Sequence, residues 1–156
     1  MATIGLAGTV RLHAMAQPFA KTWTIPSTNA AAAQVMQEIL DATKEHGYKR
    51  EGFALRLALD EALVNAVKHG NKNDPDKSVH IECSIDEDRI VIQVEDQGPG
   101  FVPDDLPDPT AEENLGRPNG RGVMLMRAYM TEVDFNDRGN RVILTKLRDC
   151  QRPHAD

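Results

Sequence analysis

Cysteine is scarce in this chain, with only Cys83 and Cys150 among 156 residues. Neither has a partner at metal-ligand spacing, so no zinc site and no disulfide framework is expected, and a reducing, cytoplasmic setting suits the composition. Basic charge is in deficit: 18 Lys and Arg face 24 Asp and Glu, a formal net charge of -6. A general nucleic-acid binder needs net basic surface to displace counterions, so direct nucleic-acid contact is not expected. No apolar run approaches membrane-spanning length. The opening MATIGLAGTVRLHAMAQPF is mildly apolar, but Arg11 and His13 interrupt it and no secretion signal results. A flexible segment over residues 1–20, or a start at Met15, are the two readings. Walker-loop and dinucleotide-fingerprint spacings are both missing, as is any internal repeat.

What remains is enough for one domain with a real core, at 40% hydrophobic and 27% charged residues. KTWTIPS alternates like a short strand, and Ser27 or Thr28 can cap a helix running through NAAAAQVMQEILDATKEHG to Gly47. A second helix is expected from about Arg50 to His69, with Gly70 and NKNDPDK as its exit and loop. Period-two alternation of Val79, Ile81, Cys83 and Ile85, a turn at Asp86-Glu87-Asp88 and then RIVIQVE read as a hairpin. A polar, Pro-rich stretch follows to about residue 119, too broken to pack as an element. GRGVMLMRAYMTEV has helical spacing through Val123, Met126 and Met130, and EVDFND and NRVILTKLR close the chain as strands around Arg138-Gly139. About five strands and three helices in this order predict an α+β fold. The expected form is a two-layer sandwich whose mixed, mostly antiparallel sheet carries its helices on one face.

LDEALVNAVKHG, residues 59–70, poses the functional question. At about 100° per residue, Leu55, Leu59, Ala62, Leu63 and Ala66 gather on the face toward the sheet. Glu61, Asn65 and Lys68 form a stripe beside it, where polar groups are costly if partly buried. Read alone, Glu61 and Asn65 are a solvated surface pair. Two glycine motifs follow them. DQGPG, residues 96–100, comes straight after a strand: Asp96 offers an acceptor-only carboxylate suited to an exocyclic amino group, and Gly98 and Gly100 permit a tight turn near a planar base. GRG, residues 120–122, stands before a helix, where bare amides and the positive helix end can hold phosphate. Each motif by itself is more often a plain turn or loop end.

In order, these stretches resemble the N, G1 and G2 boxes of the Bergerat-fold ATPase superfamily of gyrase, histidine kinases, MutL proteins and Hsp-type chaperones. The stand-alone serine/threonine kinases that act as anti-sigma factors are the most similar branch. The resemblance is carried by DEALVNAVKHGNKNDPDK, VEDQGPGF, DPTAEENLGRPNGRGVMLMRAYMTEV and the threonine of VILTKL, and it runs from about Lys21 to Arg148.

That resemblance implies an ATP-binding domain over residues 21–148, an ATP lid at about 102–120, and a flexible tail from 149 to 156. It implies that Asn65 gives an oxygen to Mg2+, a hard cation. Asp96 would recognise adenine with Gly98, Gly100 and Thr145, and Gly120, Arg121 and Gly122 would cradle the phosphates of ATP. Phe101 reads as packing, Arg117 as a solvated lid residue, and Lys68 and His69 either approach phosphate or finish the helix. The histidine-kinase branch commonly carries asparagine where this chain has Glu61. A hydroxyl attacking phosphate gains from a positioned base, so Glu61 favours Ser/Thr transfer or hydrolysis. The implied partners are an anti-sigma-factor antagonist as substrate, a sigma factor and a second copy in a homodimer, with no membrane. The alternative is an ATP-gated binding module that sequesters a regulator without transfer.

Overall fold

The computed structural model describes residues 17–100 and 118–148, the side chains of 118–120 excepted. The expectations for Phe101, Arg117, the flexible ends and most of the lid lie outside the described residues. Strand β1 is Phe19–Pro26 and begins two residues before the expected Lys21. Helix α1 is Asn29–Glu45, and α2 is Gly52–Val64 continued by a π-helical turn, Asn65–Gly70. Strands β2 (Ser78–Ile85) and β3 (Arg89–Glu95) form the first hairpin. Helix α3 is Pro118–Tyr129, and β4 (Glu132–Phe135) and β5 (Arg141–Leu147) form the second.

Local chemistry explains most of these boundaries. The Thr28 hydroxyl caps α1 by accepting the Ala31 amide at 3.2 Å, satisfying one of the free amides of the first turn. At the other end Gly47 has φ +85°, a conformation that costs glycine nothing. In the first hairpin turn the Asp86 carboxylate accepts the amides of Asp88 and Arg89 at 2.8 and 2.9 Å. Asn136 does the same for Gly139 and Arg141 in the second.

The sheet order is β1-β2-β3-β5-β4 and every pairing is antiparallel, so the expected mixed sheet is purely antiparallel. The reason is connectivity: α3 leads into the edge strand β4, and the hairpin that follows lays β5 between β4 and β3, running against both. The alternation expected of β2 and β3 is observed, with Val79, Ile81, Cys83, Ile85, Ile90, Ile92 and Val94 all buried. They meet Val35 and Ile39 of α1, Leu55, Leu59, Leu63 and Ala66 of α2, and Val123 and Met126 of α3. The two-layer α+β sandwich with helices on one face is therefore the fold. Burial of such side chains, at about 1.5–3 kcal/mol each, holds the layers together. Met126 and Met130 are core while Met124 is exposed. Among the described residues no helix is long and apolar enough to cross a membrane.

Two local departures matter for the site. The expected straight helix to His69 widens at Asn65, where the Asn71 amide bonds the Ala66 carbonyl five residues back at 2.9 Å. Such wide turns concentrate at functional positions. Helix α3 starts at Pro118, not after Gly122, so Gly120, Arg121 and Gly122 lie inside its first turns. Proline is preorganised for the first helical position, where its missing amide hydrogen costs nothing.

Candidate nucleotide site

Helix α2 presents Glu61 and Asn65 on one stripe, and α3 lays a glycine across it. A Cβ built on Gly122 would stand 3.0 Å from Glu61 Oε2 and 3.1 Å from Asn65 Nδ2. Any larger residue would press on both groups, so the bare backbone of Gly122 is what lets α3 approach them. Gly122 is buried, whereas Arg121 is exposed. The two carboxyl and carboxamide ends thus converge on one spot, as their i, i+4 spacing allows.

Asn65 is the most informative group here. Both its Nδ2 and Oδ1 are buried, and neither has a hydrogen-bond partner among the described residues. A carboxamide in that state costs stability, since its desolvation is uncompensated. The cost is intelligible if a ligand oxygen or a hard cation completes the coordination. Among the described residues no cluster of three His, Cys, Asp or Glu could hold a metal by itself. A magnesium ion, which keeps waters and takes phosphate oxygens, needs only one or two protein ligands, so the donor set fits.

Glu61 has its carboxyl pKa raised above the ordinary 4.5, first by burial and then by the neighbouring Asp60 carboxylate. That change makes it a better proton acceptor near neutral pH. His69 is shifted down by burial and by Lys68, which favours its neutral form. It lines a cavity with Asn65, Gly70, Asp96 and Gly100. Lys68 instead borders a groove of about 640 Å³ between α1 and α2, away from that cavity.

Asp96 lies one residue past β3 and is held from several directions. Its Oδ1 accepts the Gly98 amide at 2.8 Å. Its backbone exchanges two bonds with Asn140: the Asp96 amide donates to the Asn140 carbonyl at 2.9 Å, and Asn140 Nδ2 donates to the Asp96 carbonyl at 2.8 Å. Burial raises the Asp96 carboxyl pKa, opposed by the Gly98 amide and the Arg138 guanidinium. Gly98 packs against the end of α2, where a Cβ would lie 2.1 Å from the Gly70 carbonyl oxygen. Gly100, at φ +80°, lies so close to the second hairpin turn that a Cβ would meet the Arg138 carbonyl oxygen at 1.9 Å.

Glu61, Asn65, Asp96, Gly98, Gly100 and Gly122 are accordingly gathered around adjoining cavities that share Asn65 and Asp96. Thr145 is not among them. It pairs with Val91, five residues before Asp96, which at about 3.3 Å per residue places it some 16 Å along the sheet. It also alternates with the core residues Val142 and Leu144, so it belongs to the sheet face away from the helices. The stretch of β5 that borders the site is its beginning, with Asn140, Arg141 and Val142 lining the inner cavity. Sequence reading missed Gly70, Asn71, Arg138 and Asn140. Only the Gly70-Asn71 pair carried a signal, by following the Glu61 helix directly.

Comparison with known proteins supplies the family. The model of the histidine kinase-like ATPase domain matches residues 25–146. The anti-sigma F factor of Clostridium perfringens is 36% identical over 98 residues, covering 59% of this chain and 69% of that protein. The serine-protein kinase RsbW of Listeria innocua is 31% identical over 115 residues, covering 62% and 70% respectively. The crystal structure of the RsbU and RsbW domains of Rv1364c from Mycobacterium tuberculosis superposes with a TM-score of 0.58 at 17% identity. It covers 83% of this chain and 31% of that one, and establishes likeness of fold. With four-fifths of its length inside that domain model and the stripe, turn and glycine contacts in place, the chain belongs to the histidine kinase-like ATPase domain family.

Proposed function

We infer that this chain is an ATP-dependent serine/threonine protein kinase and anti-sigma factor. Its substrate is an anti-sigma-factor antagonist, in a partner-switching system. The relatives named as an anti-sigma F factor and a serine-protein kinase support this reading. The observation that carries it is the convergence of Glu61 and the unpartnered Asn65 carboxamide beneath Gly122.

The roles follow from the chemistry of each group. Asp96, an acceptor held by Gly98, receives the exocyclic amino group of adenine, and Gly100 keeps that wall close. Asn65 offers Oδ1 to Mg2+, Gly120 turns a free amide of the first helical turn and Arg121 its cation toward phosphate, and Gly122 leaves beside Glu61 and Asn65 the room a side chain would fill. Bound magnesium and ATP would supply the transferable phosphoryl group and the positive charge that offsets its oxygens. Glu61 Oε2 accepts the proton of the incoming serine or threonine hydroxyl. Both side chains ride on one rigid helix, which suits a reaction that depends on positioning. The same reading includes a cytoplasmic location, a sigma factor as second partner and a homodimer.

The test is label transfer from γ-labelled ATP in a native lysate of the source organism, with wild type and Glu61→Ala side by side and bound proteins recovered. A small protein labelled on Ser or Thr by the wild type alone supports the kinase. Capture of a regulator with no label by either would make the chain an ATP-gated binding module.

A further inference from the structure

Asn71 is fully buried, yet it follows the Glu61 helix at the head of a polar loop. Its side chain is completely used. Nδ2 donates to Ser27 Oγ at 2.8 Å and to the Ser78 carbonyl at 2.9 Å, while Oδ1 accepts the Gln97 amide at 2.7 Å. Its own amide closes the wide turn onto Ala66, and its carbonyl accepts the Asp74 amide at 3.0 Å. Ser27 in turn donates to the Lys77 carbonyl at 2.9 Å.

These bonds divide into two sets with different consequences. The Nδ2 pair fastens the helix exit to the β1–α1 junction and to the start of β2. The Oδ1 bond reaches the residue immediately after Asp96. Asn65 and Asp96 lie on separate elements; Gly70 packs against both Asp96 and Gly98, and the Asn71–Gln97 bond adds a directional hydrogen bond between the helix exit and the loop. A carboxylate that reads a base by hydrogen-bond direction must be held to within a fraction of an ångström.

We propose that Asn71 is a positioning residue for base recognition: its Oδ1, by holding the Gln97 amide, sets the orientation of Asp96 relative to the α2 groups. This rests on the assignment of Asp96 to adenine, and it adds a residue that never touches the nucleotide. Removing the Oδ1 bond frees Asp96 to tilt and blunts discrimination between a base offering an amino group there and one offering a carbonyl. Removing the Nδ2 bonds costs stability and leaves discrimination in place.

The experiment measures Kd for ATP and for GTP, together with Tm, in the full chain and in Asn71→Ala, Asn71→Asp and Asp96→Ala. Asn71→Ala is expected to lower Tm and to cut the ATP-over-GTP ratio by about tenfold or more, the scale of one well-made hydrogen bond. Asn71→Asp keeps an acceptor for the Gln97 amide but loses the donors, so Tm falls while the ratio stays within about threefold of wild type. Asn71→Ser, one bond shorter and still a donor, replaces the alanine variant if that fails to fold, with the same loss of discrimination expected. A ratio unchanged in the alanine or serine variant overturns the proposal, as does a loss in Asn71→Asp equal to that in Asn71→Ala. Asp96→Ala separates the two layers. If it abolishes discrimination while Asn71→Ala does not, the positioning role alone fails; if it leaves discrimination intact, the assignment of Asp96 fails with it.

Discussion

Gly70 and Asp96 are packed so closely that a Cβ on Gly70 would stand 2.3 Å from the Asp96 Cγ. Gly70 ends the wide turn of α2 and Asp96 begins the loop after β3, so this contact brings the two halves of the site together. Gly70→Ala adds one methyl group that only a shift of Asp96 can accommodate. The expected outcome is a rise of about tenfold or more in Kd for ATP. Helix propensity by itself would favour alanine here, so a drop in affinity without a rise in Tm identifies the steric cause. Titration with a fluorescent ATP analogue alongside a thermal melt measures both.

Glu61→Gln is expected to keep ATP binding within about threefold and to reduce phosphoryl transfer by about 10²-fold or more, the usual worth of a positioned base. In the wild type the raised Glu61 pKa moves the acid limb of the kcat profile above pH 4.5. The sign for stability is opposite. A carboxyl whose folded pKa is raised contributes stability below its unfolded pKa and loses that contribution as pH rises through the folded value. At neutral pH the charged Glu61 is therefore a small liability, and Glu61→Gln should melt at the same temperature as wild type or slightly above it. A clear fall in Tm would mean that Glu61 is structural.

Asn65→Ala removes a carboxamide that has no partner in the described structure. The folded protein should then lose little stability, or gain some, because an uncompensated buried polar group has been removed. The increase in Tm on adding magnesium and ATP should shrink, since a ligand at concentration L stabilises by RT ln(1 + L/Kd) and the variant's Kd is larger. Thermal shift with ATP alone, magnesium alone and both distinguishes a metal ligand from a group that contacts only the nucleotide. Equal shifts for variant and wild type with both present would remove Asn65 from the metal.

Arg148 ties the far end of the domain. Its guanidinium donates to the carbonyls of Glu87 at 2.7 Å, Gly47 at 3.1 Å and His46 at 3.0 Å, and lies 3.8 Å over the Tyr48 ring. Tyr48 is itself buried, with its hydroxyl donated to the Asp86 carbonyl and its pKa pushed up to about 12 by that burial. Arg148→Ala should cost about 2 kcal/mol of unfolding free energy. Lysine at the same position should recover little, because a point charge cannot serve three carbonyls and a ring face at once. Urea unfolding measures the loss, and ATP affinity, set at the opposite end of the sheet, should not change.

Local pattern was sufficient for much of this molecule. Period-two alternation located β2 and β3, because a strand with one buried face must alternate, and the 3.6-residue period identified the buried side of α2 down to Leu55, Leu59, Ala62, Leu63 and Ala66. The same angular reading placed Glu61 and Asn65 on one stripe, since spacing along a single helix is a local property. Motif order carried the family. Three things required the folded chain. The register of β5 against β3 decided that Thr145 stands away from Asp96, and no pattern within one strand specifies its partner's register. The buried Asn71 looks in sequence like any loop asparagine, because its partners Ser27, Ser78 and Gln97 come from three distant segments. Gly70 and Gly122 read as a helix end and a helix entry, but what excludes a side chain at each is a carboxylate or carboxamide from another element. Buried faces and the available chemistry are local properties of the chain; which groups meet is a property of the packed molecule, because a contact across elements depends on where two backbones come to rest.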